Sequence, residues 1–265
     1  MNAPPPDVLA RIVADKRARL ARGEYAPPPG PAVGSPDGAR FVASLKEPGV
    51  RIIAEIKHRS PSAGEILPGA EGKIETIALA YRRGHAAAVS VVVEEDHFGG
   101  RPAWLPRAKR ISGLPVLWKD FVVSERQLDL AAALGADAVL LIARVLTDEE
   151  LSSLSRAAKS RGMAVVAEAH DAAEIARAAA ISPDVLGVNA RDLSTFATSL
   201  EGLEALRSAI PDGPVRLAES GIRAAADVAR LQAAGYEAFL VGEVLLRAEE
   251  PEELLRELRA PGVTV

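Results

Sequence analysis

From residue 50 onward the chain repeats one unit. A short, unbroken apolar run rich in β-branched residues is followed by a longer stretch where alanine and leucine recur at helical spacing. The runs are VRIIAEI (50–56), AAVSVVV (87–93), PVLW (115–118), DAVLLI (137–142), MAVVAEA (163–169), DVLGVN (184–189), PVRLAE (214–219) and EAFLVG (237–242). Continuous rather than alternating hydrophobicity predicts parallel strands covered on both faces. Helix boundaries fall between them. Lys73–Arg83 is helical in pattern and is followed by Gly84, and Ser124 can cap a helix that Gly135 ends. Thr147 to Glu150 has the capping-box spacing, Asp171 can cap AAEIARAAA, and Gly235 closes Ala224–Ala234. Eight strand–helix units predict an α/β fold, a single (β/α)8 barrel of the TIM type; a doubly wound open sheet is the competing arrangement.

Residues 1–49 depart from this rhythm. Asp7 is placed to cap an amphipathic helix, DVLARIVADKRARLA, that ends near Gly23. APPPGPAVGSPDGA then carries too much proline and glycine for regular structure. The expected division is an N-terminal helix with a Pro/Gly-rich connector over 1–49 and the barrel over 50–265.

Length agrees with one barrel, which commonly fills a chain of 265 residues. There is no cysteine, so disulfides, thiol nucleophiles and thiolate metal sites are excluded. A formal charge of −4 without a basic stripe argues against nucleic-acid binding. No secretory signal and no apolar stretch near the roughly 20 residues needed to cross a bilayer is present, which leads to the expectation of a cytoplasmic protein without membrane contact. The four histidines, His58, His85, His97 and His170, have no metal-ligand spacing, and no metal is expected. Oligomeric state is left open.

In a barrel of this kind, chemistry gathers where the C-terminal ends of the strands meet the following loops. Those ends read Glu55 and Lys57, Glu94 and Glu95, Lys119 and Asp120, Glu168, Asn189 with Arg191, Glu219-Ser220-Gly221, and Gly242-Glu243; the fourth, Ile142-Ala143, is apolar. The opposite ends carry no comparable set. Each feature alone has an ordinary explanation: Glu55 and Lys57 share a strand face and can be a structural pair, and Glu168 before His170 can be loop-entry polarity. Seven ends of eight sending polar groups to one mouth favours chemistry. Lys119-Asp120 interrupts the apolar LPVLWKDFVV, where an unpaired buried charge would cost several kcal/mol, roughly. The expectation is a strand that reaches the mouth at Trp118, with Lys119 functional and Asp120 turning away to fix the loop. Glycines after strands 7 and 8 suit backbone binding of a phosphorylated small molecule.

At these residues the chain resembles the indole-3-glycerol phosphate synthase family of tryptophan biosynthesis, over about residues 40–258. The most specific segment is Ala54-Glu-Ile-Lys-His-Arg-Ser-Pro-Ser62. Phe98-Gly-Gly100, Lys119-Asp-Phe121, Gly135-Ala-Asp-Ala-Val-Leu-Leu-Ile142, Asn189-Ala-Arg-Asp-Leu193, Glu219-Ser-Gly-Ile222 and Leu240-Val-Gly-Glu243 follow in order.

The resemblance implies a (β/α)8 barrel with an extra N-terminal helix, acting without cofactor or metal. Its reaction cyclises 1-(2-carboxyphenylamino)-1-deoxyribulose 5-phosphate with loss of carbon dioxide and water. It implies Lys119 as general acid on the keto oxygen, Lys57 on the substrate carboxylate and in dehydration, and Glu168 and Glu55 as bases. Asn189 and Arg191 would hold the anthranilate part, Phe98 and Phe121 would wall the ring, Glu219 would bind substrate, and Ser60, Ser220, Gly221, Gly242 and Glu243 would form or border the phosphate site. Departures from the pattern are His58 for a common arginine, Val93 for threonine, Trp118 for arginine, alanines beside Glu168, and Val244 without a hydroxyl. The stretch SPSAGEILPG, residues 60–69, has the composition of a lid, and closure over substrate would involve 58–68. Two rivals stand beside this reading. One is another phosphate-binding barrel enzyme such as phosphoribosylanthranilate isomerase, which would not be expected to carry Lys57, Lys119 and Glu168 with the leading helix. A silent barrel paralogue acting as a binding protein would be expected to have lost one of those three.

Overall fold

A computed structural model describes residues 8–27, 32–191 and 198–260. Asp7, and Asp192 and Leu193 of the fifth motif, lie outside the described residues. Eight strands form a closed parallel barrel: β1 Arg51–Ile56, β2 Ala88–Val92, β3 Val116–Lys119, β4 Ala138–Ile142, β5 Ala164–Ala169, β6 Val185–Asn189, β7 Val215–Glu219 and β8 Ala238–Val241. The barrel shuts where β1 pairs with β8 (Arg51 with Ala238, Ala54 with Val241) as well as with β2. Closure rules out the open sheet. Each strand lies within about one residue of its apolar run.

Helices α3 Ile74–Arg83, α4 Trp104–Ser112, α5 Glu125–Ala133, α6 Asp148–Ser160, α7 Ala172–Ala180, α8 Leu200–Leu206, α9 Ala225–Ala234, α10 Glu243–Arg247 and α11 Pro251–Arg259 follow the strands. Their ends obey local chemistry. Ser124 accepts from the Arg126 amide, Thr147 and Glu150 form the capping box, Asp171 accepts from the Glu174 amide, and Gly235 takes a left-handed φ of 104°.

Strand alternation produces two apolar layers. Ile52, Ala54, Val91, Trp118, Val139, Val165 and Phe239 face outward under the helices. Ile53, Leu117, Leu140, Val166, Leu217 and Leu240 fill the interior. Trp118 is therefore not where the strand opens: it is fully buried in the outer layer, and its neighbours Leu117 and Lys119 are the residues on the inward side.

The N-terminal section holds two helices, α1 Val8–Ala21 and α2 Gly38–Lys46. The second begins inside the stretch expected to lack regular structure. Asp37 caps it by accepting from the Arg40 amide, and Phe41 and Leu45 insert into the interior layer, where they plug the barrel's lower end. That end also holds a buried charge. The buried Asp137 carboxylate accepts from the amides of Asp37 and Val116, each at 2.9 Å, and from Lys109 Nζ at 2.8 Å. It ties α2 to the barrel floor, satisfying backbone groups that burial would otherwise leave unpaired.

Candidate active site

The upper end of the barrel encloses a cavity of about 460 Å³. All fourteen candidate residues line it: Glu55, Lys57, Ser60, Phe98, Lys119, Phe121, Glu168, Asn189, Arg191, Glu219, Ser220, Gly221, Gly242 and Glu243. Period-two alternation explains the convergence. Ile53, Leu117, Val166 and Leu217 face the interior, so Glu55, Lys119, Glu168 and Glu219, two residues further on, face it one layer higher.

At the centre Lys119 Nζ lies 3.1 Å from Glu219 Oε2 and 3.3 Å from Glu168 Oε2. Glu55 is not its nearest partner: Glu55 Oε1 accepts from Lys57 Nζ at 2.8 Å. Asn189 Nδ2 donates to Glu168 Oε1 at 3.2 Å, and Asn189 Oδ1 accepts from the Arg191 amide at 3.0 Å.

Burial works against the Lys119 charge, but the Glu219, Glu168 and Glu55 carboxylates outweigh it and raise its pKa well above the ordinary lysine value. Burial likewise opposes ionisation of Glu55 and Glu168. Lys57 and Lys119 hold Glu55 low; Lys119, His170 and Asn189 hold Glu168 low. Glu219 goes the other way. Desolvation exceeds the help from Lys119, and Glu168 and Glu55 add repulsion, so its pKa rises to about 7. Two ammonium groups thus face three carboxyl groups, and Glu219 is the one most ready to hold a proton at neutral pH. It has a buried oxygen, Oε1, with no hydrogen-bond partner.

The apolar side of the cavity is a tilted aromatic pair, Phe98 and Phe121, with ring centroids 6.1 Å apart. Glu94 places the first of these by accepting from the amides of His97 at 2.7 Å and Phe98 at 2.8 Å. Asp120 holds the second: its carboxylate accepts from the Phe121 amide and from Gln127 Nε2. Both acids also bind Lys16 of α1, Asp120 at 2.8 Å and Glu94 at 3.5 Å. Lys16 is fully buried and donates to Tyr25 Oη at 2.9 Å. Val8, Leu9 and Ile12 of the same helix reach the cavity itself. Nothing in a lysine on an amphipathic helix announced this; only the excess of acids at the mouth hinted at a missing cation.

After β7, Ser220 and Gly221 both take left-handed φ values, 68° and 78°. Ser220 is one of four non-glycine residues that do so among those described, a strain that turns the chain sharply at the mouth. Arg223 and Arg247 line the cavity beside them, and Arg247 pairs with Glu243 at 3.1 Å. The lid-like segment forms a short hairpin, Arg59–Ser60 with Gly64–Glu65, and Arg191 donates to Ser62 Oγ within it at 3.1 Å. His58 pairs with Glu65 at 2.9 Å. Among the described residues no cluster of acidic or histidine side chains has metal-site geometry, and no helix is long and apolar enough to cross a membrane.

The sequence matches the family model described as indole-3-glycerol phosphate synthase over residues 9–258. It is 45% identical over 209 residues to indole-3-glycerol phosphate synthase 2 of Ralstonia nicotianae, spanning 79% of this chain and 77% of the relative. It is 41% identical to indole-3-glycerol phosphate synthase of Aromatoleum aromaticum, spanning 95% of this chain and 98% of the relative. Among solved structures, 3-hexulose-6-phosphate synthase superposes with a TM-score of 0.61 at 17% identity, covering 80% of this chain and 99% of that one. Orotidine 5'-phosphate decarboxylase from Pyrococcus horikoshii superposes with a TM-score of 0.58 at 16% identity, covering 78% and 97%. These two likenesses concern the fold alone.

Proposed function

The chain belongs to the indole-3-glycerol phosphate synthase family, and we propose a division of labour among its residues in that carboxy-lyase reaction. The enzyme, of class EC 4.1.1.48, closes 1-(2-carboxyphenylamino)-1-deoxyribulose 5-phosphate into indole-3-glycerol phosphate, releasing carbon dioxide and water.

Ring closure needs a proton on the keto oxygen as the carboxylate-bearing ring carbon attacks the keto carbon. Lys119 supplies it from the cavity centre. The observation that carries this assignment is the placement of its ammonium group between Glu168 and Glu219, which keeps it charged until a developing alkoxide takes the proton. The carbon–carbon bond to the carboxylate then breaks, its electron pair restores the aromatic ring, and carbon dioxide leaves. The Phe98–Phe121 wall favours that step, because a carboxylate stripped of water is less stable than neutral carbon dioxide.

Dehydration follows. Lys57 protonates the departing hydroxyl, and a carboxylate removes the proton from the adjacent carbon so that the indole double bond forms. Glu168 suits that base because two cations and an amide hold it ionised, while Glu55 orients Lys57 by accepting from its Nζ. Asn189 and Arg191 hold the anthranilate part; the planar Arg191 fork matches its carboxylate. Backbone of Ser220, Gly221 and Gly242, with Ser60 and the Glu243 amide, forms the phosphate end. The Glu243 carboxylate is drawn toward Arg247, which lessens its repulsion of a phosphate. Glu219, with its raised pKa, enters this reading as a reserve proton beside Lys119. The division of the chain into an N-terminal section, 1–49, and a catalytic barrel, 50–265, and a cytoplasmic location, go with it.

Purified protein is mixed with the carboxyphenylamino-deoxyribulose phosphate and indole absorbance is followed. Indole formation is expected without added metal or cofactor. Folded protein that yields no indole over a broad pH range overturns the reading.

A further inference from the structure

His170 transfers no proton in the chemistry above, yet its ring lies directly behind the proposed base. It directly follows β5, two residues beyond Glu168, and its side chain is 4% exposed. Nδ1 lies 3.1 Å from Glu174 Oε2, and the same oxygen accepts from the His170 backbone amide at 2.8 Å. Nε2 lies 3.3 Å from Glu168 Oε1 and has no aligned hydrogen-bond partner. Both ring nitrogens therefore face carboxylates.

A neutral imidazole has one N–H and one lone pair. Either tautomer would aim that lone pair at a carboxylate oxygen inside a nearly dry site. An imidazolium presents a proton to Glu174 and a positive charge to Glu168. The surroundings carry the same alternation outward. Arg144, from the turn after β4, donates to Glu174 Oε1 at 2.5 Å and pairs with Asp171, the residue next to His170, at 3.4 Å. Inward, Glu168 meets Lys119 from β3 and Asn189 from β6. The sequence of charges runs Arg144, Glu174, His170, Glu168, Lys119, Glu219, opposite at every step. Burial works against the His170 cation, but the Glu174 hydrogen bond and the Glu168 charge outweigh it and raise its pKa.

We propose that His170 is a positioning residue for Glu168: an imidazolium held between Glu174 and Glu168 that fixes where Glu168 points and keeps it ionised as a base. Glu174 and Arg144 exist in this arrangement to hold the imidazolium. The inference rests on the assignment of Glu168 as base.

The test is the pH profile of kcat/KM for His170→Gln, which keeps a polar group but cannot carry the charge. Without the neighbouring cation the Glu168 proton is harder to lose, so the acid limb moves up by about one pH unit, a tenfold loss below it that recovers on the alkaline side. A side chain that served only packing would lower the rate evenly at all pH values; an unmoved acid limb in folded His170→Gln overturns the proposal. Glu168→Gln is assayed alongside. Wild-type turnover in that variant would remove the base assignment and with it the premise, whereas an inactive Glu168→Gln beside an unshifted His170→Gln removes only the positioning role. If His170→Gln does not fold, nitrogen NMR of histidine-labelled wild-type protein decides, with His58, His85 and His97 assigned through single glutamine variants. The expected remaining signal is a doubly protonated ring that titrates above the ordinary histidine range; a neutral ring at or below that range overturns the proposal.

Discussion

Gly187 leaves the space that the Glu219 carboxylate occupies: a Cβ at position 187 would lie 2.3 Å from Glu219 Oε1. Gly187 is on β6, paired with Leu217 of β7, and the side chain two residues beyond Leu217 lies over it. Any larger residue at 187 would force the Glu219 carboxylate to shift from its place beside Lys119. Gly187→Ala is therefore expected to fold, since the clash is with a side chain at the open end of the barrel. It should lose about 10–100-fold in kcat by displacing Glu219 from Lys119. Steady-state kinetics with circular dichroism checks this; wild-type kcat would mean that Glu219 placement is irrelevant.

Removing Lys119 should cost more. Loss of a positioned acid typically reduces turnover about 10²–10⁴-fold, and Lys119→Ala is expected in that range. Stability has a sign of its own. Glu168, Glu219 and Glu55 would lose a cation they share, so their folded pKa values rise, that of Glu219 from one already above the ordinary value. That effect costs little below the unfolded carboxylate range and grows as pH rises through the raised values. Thermal unfolding of the variant should fall further behind wild type at about pH 8 than at about pH 5. A pH-independent gap would show that packing, not charge, was lost.

How much of this site could be read in advance follows from the range of the interactions. Strands buried on both faces announce themselves as continuous apolar runs, and alternation then sends Glu55, Lys119, Glu168 and Glu219 to one interior. Those are local rules. Helix α2 was not legible because its apolar face, Phe41 and Leu45, has a purpose only against the floor of a closed barrel. In the sequence Asp137 is only the first residue of a strand run, because its partners, Lys109 and the Asp37 amide, come from other elements. Trp118 looked like the edge of the mouth; only the register with Val139 and Val91 turns it outward. Lys16 meets Asp120 across more than a hundred residues, a pairing that no spacing reports.

That last pair makes a prediction about the N-terminal helix. Lys16 neutralises two buried acids, one adjacent to Lys119 and one that holds the amide of Phe98. Lys16→Met keeps the length of the side chain and strands both charges. Breaking one partner of such a buried set costs about 3–5 kcal/mol. Urea unfolding should show that loss, with kcat/KM lowered as well because the two loops beside the ring are released. Unchanged stability would mean that α1 contributes nothing to the barrel mouth.

The His170–Glu174 pair makes the last prediction, on stability rather than rate. Burial opposes the Glu174 charge, but His170 and Arg144 overcome it and lower its pKa to about 2 from an ordinary 4.5. Its contribution is fully present above the unfolded value and is lost as pH falls toward about 2. His170 has the opposite sign. Its pKa is raised, so its contribution is full below the ordinary 6.5 and fades as pH rises through the folded value. The two overlap most between about pH 4.5 and 6.5. Glu174→Gln should destabilise the protein there by about 2–3 kcal/mol, and by much less near pH 2, where the wild-type carboxyl is itself taking up its proton. Denaturant unfolding of both proteins across this range measures the difference directly. A gap that persists unchanged to pH 2 would show that Glu174 acts through hydrogen bonds an amide cannot copy. Closure of the gap would show that it acts through the charge that holds His170 against Glu168.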